Sequence, residues 1–277
     1  MSLDPRTTLV ADGLADDRLE GLLPAQRYAP ARQTQVVVPW AAIRNRPDAH
    51  GEQVDQVLFG EAFDALETRG AFVFGQASRD GYIGWVAQEA LTEETATPSH
   101  WVSALRAYAF EADSIKAPAC GPLSLNALVT MVDETPSMIL AHRLGWISRR
   151  HLSTVGAVLR DPAAVALAHL GAPYLWGGRD SAGLDCSGLV QQSLLACGLA
   201  CPRDTDQQQA LGAPAPPGAL GRGDLVFWPG HVGMMVDARR LVHANAHHMA
   251  VTVEPLAKVR ARIAQGGGGE PVAYRRL

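Results

Sequence analysis

A cysteine stands where the sequence predicts the start of a helix, in the run Asp185-Cys186-Ser187-Gly188. Apolar residues recur at helical spacing after it, up to Gly198, a residue typical of helix ends. The first N–H groups of a helix have no acceptor within it, and they lie at the positive end of the helix dipole. Both effects favour a thiolate over a thiol. Cys186 is therefore a candidate nucleophile, and the pattern predicts that it is alkylated before the other cysteines.

A nucleophilic cysteine needs a base, and two histidines lie in neighbouring predicted strands. His231 begins one strand, His243 lies in the next, and residues 237–239 form the predicted connecting loop. A loop of that length pairs Gly233 with His243, which places His231 on the same face, about 7 Å away at the backbone. A shift of one residue would put the two histidines on opposite faces. The pattern predicts a Cys–His pair completed by a second histidine.

The same histidines admit a second hypothesis, a zinc site formed by His231 and His243 with His247 or His248. Zinc takes three or four such ligands in proteins. No carboxylate lies at a convincing ligand spacing, and the two cysteines after the predicted helix lack partners. The Cys–His hypothesis is therefore favoured, and His247 and His248 are predicted to be loop residues.

The elements around these residues predict an α+β domain. Asp161 and Pro162 are typical of a helix start, and Gly171 marks its end about ten residues later. This helix and the one after Cys186 precede a series of alternating segments. The predicted strands are residues 224–228, 231–236, 241–246, 251–254 and, after a glycine-rich loop, 272–275. Helices followed by antiparallel strands are typical of the α+β class.

The preceding part of the chain contains an internal repeat. Gly84-Trp85-Val86 recurs as Gly145-Trp146-Ile147, and the same offset of 61 residues relates Trp40 to Trp101. The repeat predicts two copies of a small module, residues 34–95 and 96–153, after an N-terminal extension, residues 1–33. In the first copy, turn residues separate five predicted strands: 36–38, 53–58, 62–67, 71–76 and 82–86. Five short strands in about 60 residues indicate a small β-barrel.

Composition excludes several classes of protein. The chain has 277 residues, 47% of them hydrophobic, and a net charge of −4, which argues against a sequence-independent nucleic-acid binder. Its apolar stretches are much shorter than the roughly 20 residues of a membrane span. The acidic N-terminus resembles no secretory signal, and four cysteines are too few for a disulfide scaffold. These features favour the cytoplasm, with no membrane or nucleic-acid partner.

Six motifs in order carry a resemblance to the NlpC family of cell-wall cysteine peptidases, which have a papain-like fold. They are Pro173-Tyr174-Leu175-Trp176-Gly177-Gly178, Leu184-Asp185-Cys186-Ser187-Gly188-Leu189-Val190, Pro202-Arg203-Asp204-Thr205, Gly223-Asp224-Leu225-Val226-Phe227, His231-Val232-Gly233-Met234 and Val242-His243-Ala244. The resemblance covers residues 154–277. The two preceding modules resemble the bacterial SH3-like domains found before this domain in family members.

The resemblance implies a role for each matching residue. Cys186 would be the nucleophile, His231 the general base and acid, and His243 the residue that orients His231. Further residues match positions that line the substrate groove: Tyr174, Asp185, Ser187, Arg203, Asp204 and Thr205, with Tyr82 and Glu52 from the first module closing it. Asp185 and Asp204 also precede helical segments, where capping alone favours aspartate. Thr205 departs from the family pattern, in which a smaller residue is expected.

The activity implied is hydrolysis of the γ-D-Glu–diamino acid bond of free murein peptides during peptidoglycan recycling. The partner would be a small peptide with a free N-terminal L-Ala, and no cofactor or metal is expected. Two alternatives remain open. One is an amidase or acyltransferase on the same papain-like scaffold. The other is a cell-wall peptide-binding protein whose catalytic domain is inert.

Overall fold

The computed structural model describes residues 3–277, so residues 1 and 2 of the predicted N-terminal extension lie outside the described residues. Contacts divide the chain into two compact units, one ending at Val155 and the other comprising Gly156–Leu277. The predicted boundary between residues 153 and 154 lies two residues from this division. Within residues 3–277, none of the helices is both long and apolar enough to cross a membrane.

The N-terminal unit begins with a small sheet and a larger one of seven strands. The small sheet contains β1 Val10–Ala11, β2 Leu14–Asp16 and β3 Arg27–Ala29. The larger sheet contains β4 Arg32–Val36, β5 Trp40–Arg44, β6 Gln53–Leu58, β7 Ala62–Arg69, β8 Phe72–Ala77, β9 Ile83–Ala87 and β10 Leu91–Thr92, in the order β10-β4-β7-β8-β9-β5-β6. Sequence analysis predicted no strand at β5, and the strand predicted at 36–38 overlaps β4, Arg32–Val36, only at Val36. The predicted extension is therefore not separate, because β4 crosses its boundary and Leu9 packs against Phe74 and Trp85.

Two more sheets complete this unit. One contains β11 His100–Val102, β14 Leu128–Val129 and β18 Leu152–Thr154; the other contains β12 Arg106–Phe110, β13 Ala119–Ser124, β15 Met131–Glu134, β16 Met138–Ala141 and β17 Gly145–Ser148. The repeated glycines have a steric reason. A Cβ at Gly84 would lie 2.5 Å from Ile43 Cγ2, and one at Gly145 would lie 2.5 Å from the Phe110 carbonyl oxygen. In both copies, another strand thus packs directly against the glycine that precedes the tryptophan.

The C-terminal unit combines four helices with a six-stranded antiparallel sheet. The helices are α1 Pro162–Ala168, α2 Cys186–Ala196, α3 Thr205–Gln208 and α4 Leu256–Gln265. The sheet contains β21 Ala213–Pro214, β22 Leu225–Trp228, β23 His231–Met235, β24 Arg240–Asn245, β25 Ala250–Pro255 and β26 Ala273–Arg276, in the order β21-β26-β22-β23-β24-β25, and a separate pair contains β19 Arg179–Asp180 and β20 Gly183–Leu184. Helix α1 has seven residues instead of about ten, and α4 was not predicted.

The sheet of this unit is covered on both faces. Residues of α1 and α2 form one apolar cluster with Val232, Met234 and Val242. Residues of α4 form another with side chains of the opposite face, including Trp228 and Met235. Because side chains alternate along a strand, each central strand contributes to both clusters. This packing fixes the start of α2 against β23, where His231 lies.

Candidate active site

Cys186 is the first residue of α2, and the cap before it shows why the helix begins there. The Asp185 side chain accepts a hydrogen bond from the Gly188 N–H at 2.7 Å, as expected of an N-cap aspartate. The Cys186 thiol is 7% exposed and donates to the Gly230 carbonyl oxygen at 3.9 Å. The N–H groups of Val232 and Ser187 donate towards its sulfur. The thiol therefore lies directly against the backbone on both sides of His231.

Burial, not the helix start, dominates the ionisation of this thiol. Burial and the neighbouring Asp185 carboxylate raise the pKa of Cys186 to about 12, although the N–H groups of Val232 and Ser187 act in the opposite direction. The resting group is consequently a neutral thiol. Burial and the raised pKa of Cys186 oppose its predicted alkylation before the exposed Cys120, and the order of alkylation stays a prediction. A base must take its proton before it can attack.

The two histidines meet as the hairpin register predicts. Met234 pairs with Val242 and Met235 with Leu241, which confirms the loop of three residues. His231 Nε2 lies 2.8 Å from His243 Nδ1. The ring of Trp228 lies beside His231, with 5.8 Å between the ring centroids. The imidazole of His231 is thus held between an indole and a second imidazole.

Both imidazoles are neutral at neutral pH. Burial lowers the pKa of His231 to about 3, and the neighbouring His243 and Arg262 lower it further. Burial also lowers the pKa of His243, against the opposing effect of Glu254. A neutral His231 is the resting form expected of a general base that takes its proton only when the substrate is attacked.

Sequence analysis missed Glu254 and Arg262. His243 Nε2 lies 2.9 Å from Glu254 Oε2, and Arg262 donates to both oxygens of that carboxylate, at 2.7 and 2.6 Å. A signal for Glu254 was present in the predicted strand 251–254. His243 pairs with Thr252, so Glu254, two residues along, lies on the same face of the sheet. Arg262 lies on α4, which was not predicted, and no signal pointed to it.

The zinc hypothesis is not supported by these contacts. Both ring nitrogens of His243 face other side chains, His231 and Glu254. His248 Nε2 lies 3.4 Å from Glu254 Oε1, and His247 packs edge-on against His248. In the described part of the chain, no group of three or more histidine, cysteine, aspartate or glutamate side chains is placed to hold a metal ion.

Three of the predicted groove residues form a buried polar cluster behind Cys186. Arg203 donates to Asp185 Oδ1 at 3.0 Å and to Oδ2 at 2.6 Å, and it also donates to the Ser187 hydroxyl at 2.8 Å. The Ser187 hydroxyl donates to Asp185 Oδ1 at 3.2 Å, and the Gly177 N–H donates to Oδ2 at 2.9 Å. Arg203 is only 1% exposed. The cluster joins the turn before β19, the start of α2 and the segment before α3 into one support for the thiol.

The remaining predicted residues of this unit lie at different distances from the thiol. Tyr174 packs against the cluster that contains Cys186, and burial together with that thiol raises the pKa of its hydroxyl. Asp204 is the N-cap of α3, and its N–H donates to the Gln207 side chain at 3.2 Å. Thr205 is the first residue of α3 and is partly buried. Their contacts with a substrate stay predictions.

Tyr82 and Glu52 lie in the N-terminal unit. Tyr82 precedes β9, is 7% exposed, and has an N–H that donates to Asp80 Oδ1 at 3.1 Å. Glu52 is exposed, and its N–H donates to the Asn45 side chain at 3.1 Å. Their role in closing a groove stays a prediction.

Comparison with known families agrees with this geometry. Residues 171–262, which include Cys186, His231 and His243, match the NlpC/P60 family. This segment is an NlpC/P60 domain. Residues 43–91 match a second family, the bacterial dipeptidyl-peptidase SH3 domain. The chain thus joins an NlpC/P60 domain to a bacterial SH3 domain that lies before it, and the second SH3-like module stays a prediction.

Two curated relatives and one solved structure extend the similarity over most of the chain. Dipeptidyl-peptidase 6 of Lysinibacillus sphaericus is 25% identical over 80% of this chain and 90% of its own. Gamma-D-glutamyl-L-lysine dipeptidyl-peptidase of Bacillus subtilis is 28% identical over 68% of this chain and 71% of its own. The crystal structure of an NlpC/P60 family protein from Bacillus cereus superposes with a TM-score of 0.75 at 20% identity, covering 88% of this chain and 99% of that one. The match to the NlpC/P60 family and these two relatives, both named dipeptidyl-peptidases, support a cysteine peptidase.

Proposed function

We propose that this protein is a dipeptidyl-peptidase that hydrolyses the bond between γ-D-Glu and a diamino acid in free murein peptides. The proposal rests on the buried Cys186 thiol, which donates to the carbonyl oxygen of Gly230, the residue before His231, and on the contact of His231 Nε2 with His243. The Bacillus subtilis relative, a gamma-D-glutamyl-L-lysine dipeptidyl-peptidase, supports the substrate class. The four free cysteines are compatible with a reducing compartment, and we place the reaction in cytoplasmic peptidoglycan recycling as part of this proposal.

The proposed reaction has two steps. His231 Nδ1 takes the thiol proton of Cys186 as the sulfur attacks the γ-carbonyl carbon, and the C–N bond breaks as His231 returns that proton to the leaving amine. Water then hydrolyses the thioester and releases L-Ala-γ-D-Glu. The Cys186 N–H, at the first position of α2, has no acceptor within the helix and is suited to stabilise the oxyanion. Tyr174, beside the thiol, is a second candidate donor.

A dipeptidyl-peptidase releases two residues from the N-terminus, so its substrate carries a free amino group. Acetylation of L-Ala removes that positive charge and adds bulk at the end of the acyl chain. We therefore expect the free tripeptide L-Ala-γ-D-Glu-diamino acid to react at least about tenfold faster than its N-acetylated form, the effect of roughly 1.4 kcal/mol.

Mass spectrometry of the products tests this proposal. Tripeptides ending in L-Lys or in meso-diaminopimelate are incubated separately, each with its N-acetylated form as the matched control. Release of the dipeptide and the free diamino acid supports the peptidase. An acylated product would instead identify an acyltransferase, and bound but intact peptide would identify a binding protein. Equal rates on free and acetylated peptides would contradict recognition of the amino terminus.

A further inference from the structure

We propose that Glu254, held by Arg262, is a positioning residue that sets the tautomers of both active-site histidines. The inference deepens the proposed function, because it rests on His231 acting as the base for Cys186. Glu254 lies on β25 and Arg262 on α4. The proposal therefore gives both elements a role in the active site, which sequence analysis had not given them. Glu254 contacts His243, His248 and Arg262, and we propose that it acts on His231 only through His243.

The Glu254 carboxylate determines which nitrogen of His243 carries hydrogen. A carboxylate only accepts hydrogen bonds, so His243 Nε2, at 2.9 Å from Glu254 Oε2, must carry a hydrogen. Because the imidazole of His243 is neutral, its Nδ1 then carries a lone pair. His231 Nε2, at 2.8 Å from that nitrogen, must therefore be the donor between the rings. The remaining nitrogen, His231 Nδ1, is left with the lone pair that a base for the thiol requires.

Arg262 keeps the Glu254 carboxylate ionised and in place. Its two terminal nitrogens donate to the two carboxylate oxygens at 2.7 and 2.6 Å, a bidentate geometry that fixes the orientation of the group. The guanidinium holds the pKa of Glu254 well below its usual range. Helix α4 is itself anchored by Val259, which is fully buried in the cluster that contains Trp228. Helix α4 therefore fixes the position of the Glu254 carboxylate, and the carboxylate sets the tautomers of the two histidines.

An amide in place of the Glu254 carboxylate would change which ring nitrogens of His243 and His231 carry hydrogen. Arg262 offers donors to both terminal atoms of residue 254, but glutamine has only one acceptor atom there. When its NH₂ group faces His243, it donates to Nε2 and favours the tautomer with hydrogen on Nδ1. That hydrogen would reverse the bond between the rings and leave His231 Nδ1 protonated. The thiol would then have no acceptor for its proton.

The first test is Glu254→Gln, measured on whichever γ-D-glutamyl tripeptide the protein cleaves. We expect kcat to fall at least about tenfold with KM changed by less than about twofold, because the variant alters proton transfer and not binding. Glu270→Gln is the matched control, since Glu270 pairs with Arg260 of the same helix at 2.6 Å and contacts neither histidine in this account. It should retain the kcat of the unmodified protein. Unchanged kcat in Glu254→Gln would overturn the proposal.

The second test needs no substrate and therefore separates this inference from the proposed function. Imidazole ¹⁵N spectra of the resting protein should show hydrogen on Nε2 of both His231 and His243. In Glu254→Gln, the Nδ1–H form of His243 should appear. If that variant does not fold, Arg262→Met keeps the Glu254 side chain but removes the guanidinium that fixes it. A smaller loss of kcat is then expected, with part of His243 shifted to the Nδ1–H form. A resting His243 with hydrogen on Nδ1 would overturn the inference whatever peptide is cleaved.

Discussion

Cys186→Ala is expected to lower kcat on the γ-D-glutamyl tripeptide by at least about 10⁴-fold. The reason is chemical, because alanine offers no atom that can form a thioester, and water attack without the covalent intermediate must cross the full barrier. The substitution removes one sulfur from a residue that is 7% exposed and leaves the Asp185 cap on α2 in place. Thermal unfolding should therefore show that the variant is folded. The loss of kcat then reflects the missing thiol and not unfolding.

The other cysteines provide the control for this prediction. Cys120 is exposed in the N-terminal unit, and Cys197 is partly buried at the C-terminal end of α2. Cys120→Ala and Cys197→Ala should both retain kcat within about twofold. Activity that survives in Cys186→Ala and disappears in one of the control variants would assign the nucleophile to a different residue.

Arg203→Met is expected to give the largest loss of stability, about 3–5 kcal/mol in the free energy of unfolding. Methionine keeps the volume of the side chain but removes the cation that holds the buried Asp185 carboxylate at 2.6 and 3.0 Å. The charge left behind is 7% exposed and is expensive to bury without its partner. Hydrogen exchange of the α2 amides measures this loss in the C-terminal unit itself.

Arg260→Met is the matched control, because it breaks an ion pair whose side chains are 45% and 63% exposed. Exposed pairs contribute little, so its effect should stay below about 1 kcal/mol. Similar losses in the two variants would show that the cluster behind the thiol is not what stabilises α2.

Local signals explain why much of the site was predictable. The cap and the helical spacing after Cys186 predicted α2, and the loop at residues 237–239 determined the register that brings His231 to His243. Such features depend on residues close together in the chain, where propensity and turn length decide. The predicted strands of the catalytic unit accordingly lie within two residues of the observed ones at each end.

What the sequence analysis missed depends on contacts between distant residues. Helix α4 begins after Pro255, which provides no side-chain cap, so its start carries no local signal. Without α4 there was no reason to place Arg262 near Glu254. The burial of Cys186 was missed for a similar reason, because it results from the backbone of β23 packing against the start of α2. Tertiary packing thus reversed the effect that the helix start alone predicts for the thiol.

Affinity labelling can show whether Cys186 is the nucleophile that attacks the γ-D-glutamyl carbonyl. A chloromethyl ketone built on the γ-carboxyl carbon of L-Ala-γ-D-Glu would place an electrophile where the scissile carbonyl lies. We expect one label per chain, located on Cys186 by peptide mass spectrometry. Inactivation should be proportional to labelling and should be slowed by the free tripeptide. Cys186→Ala should take up no label. Inactivation with Cys186 unmodified, or a label located on another residue, would contradict the claim that Cys186 attacks a γ-D-glutamyl carbonyl.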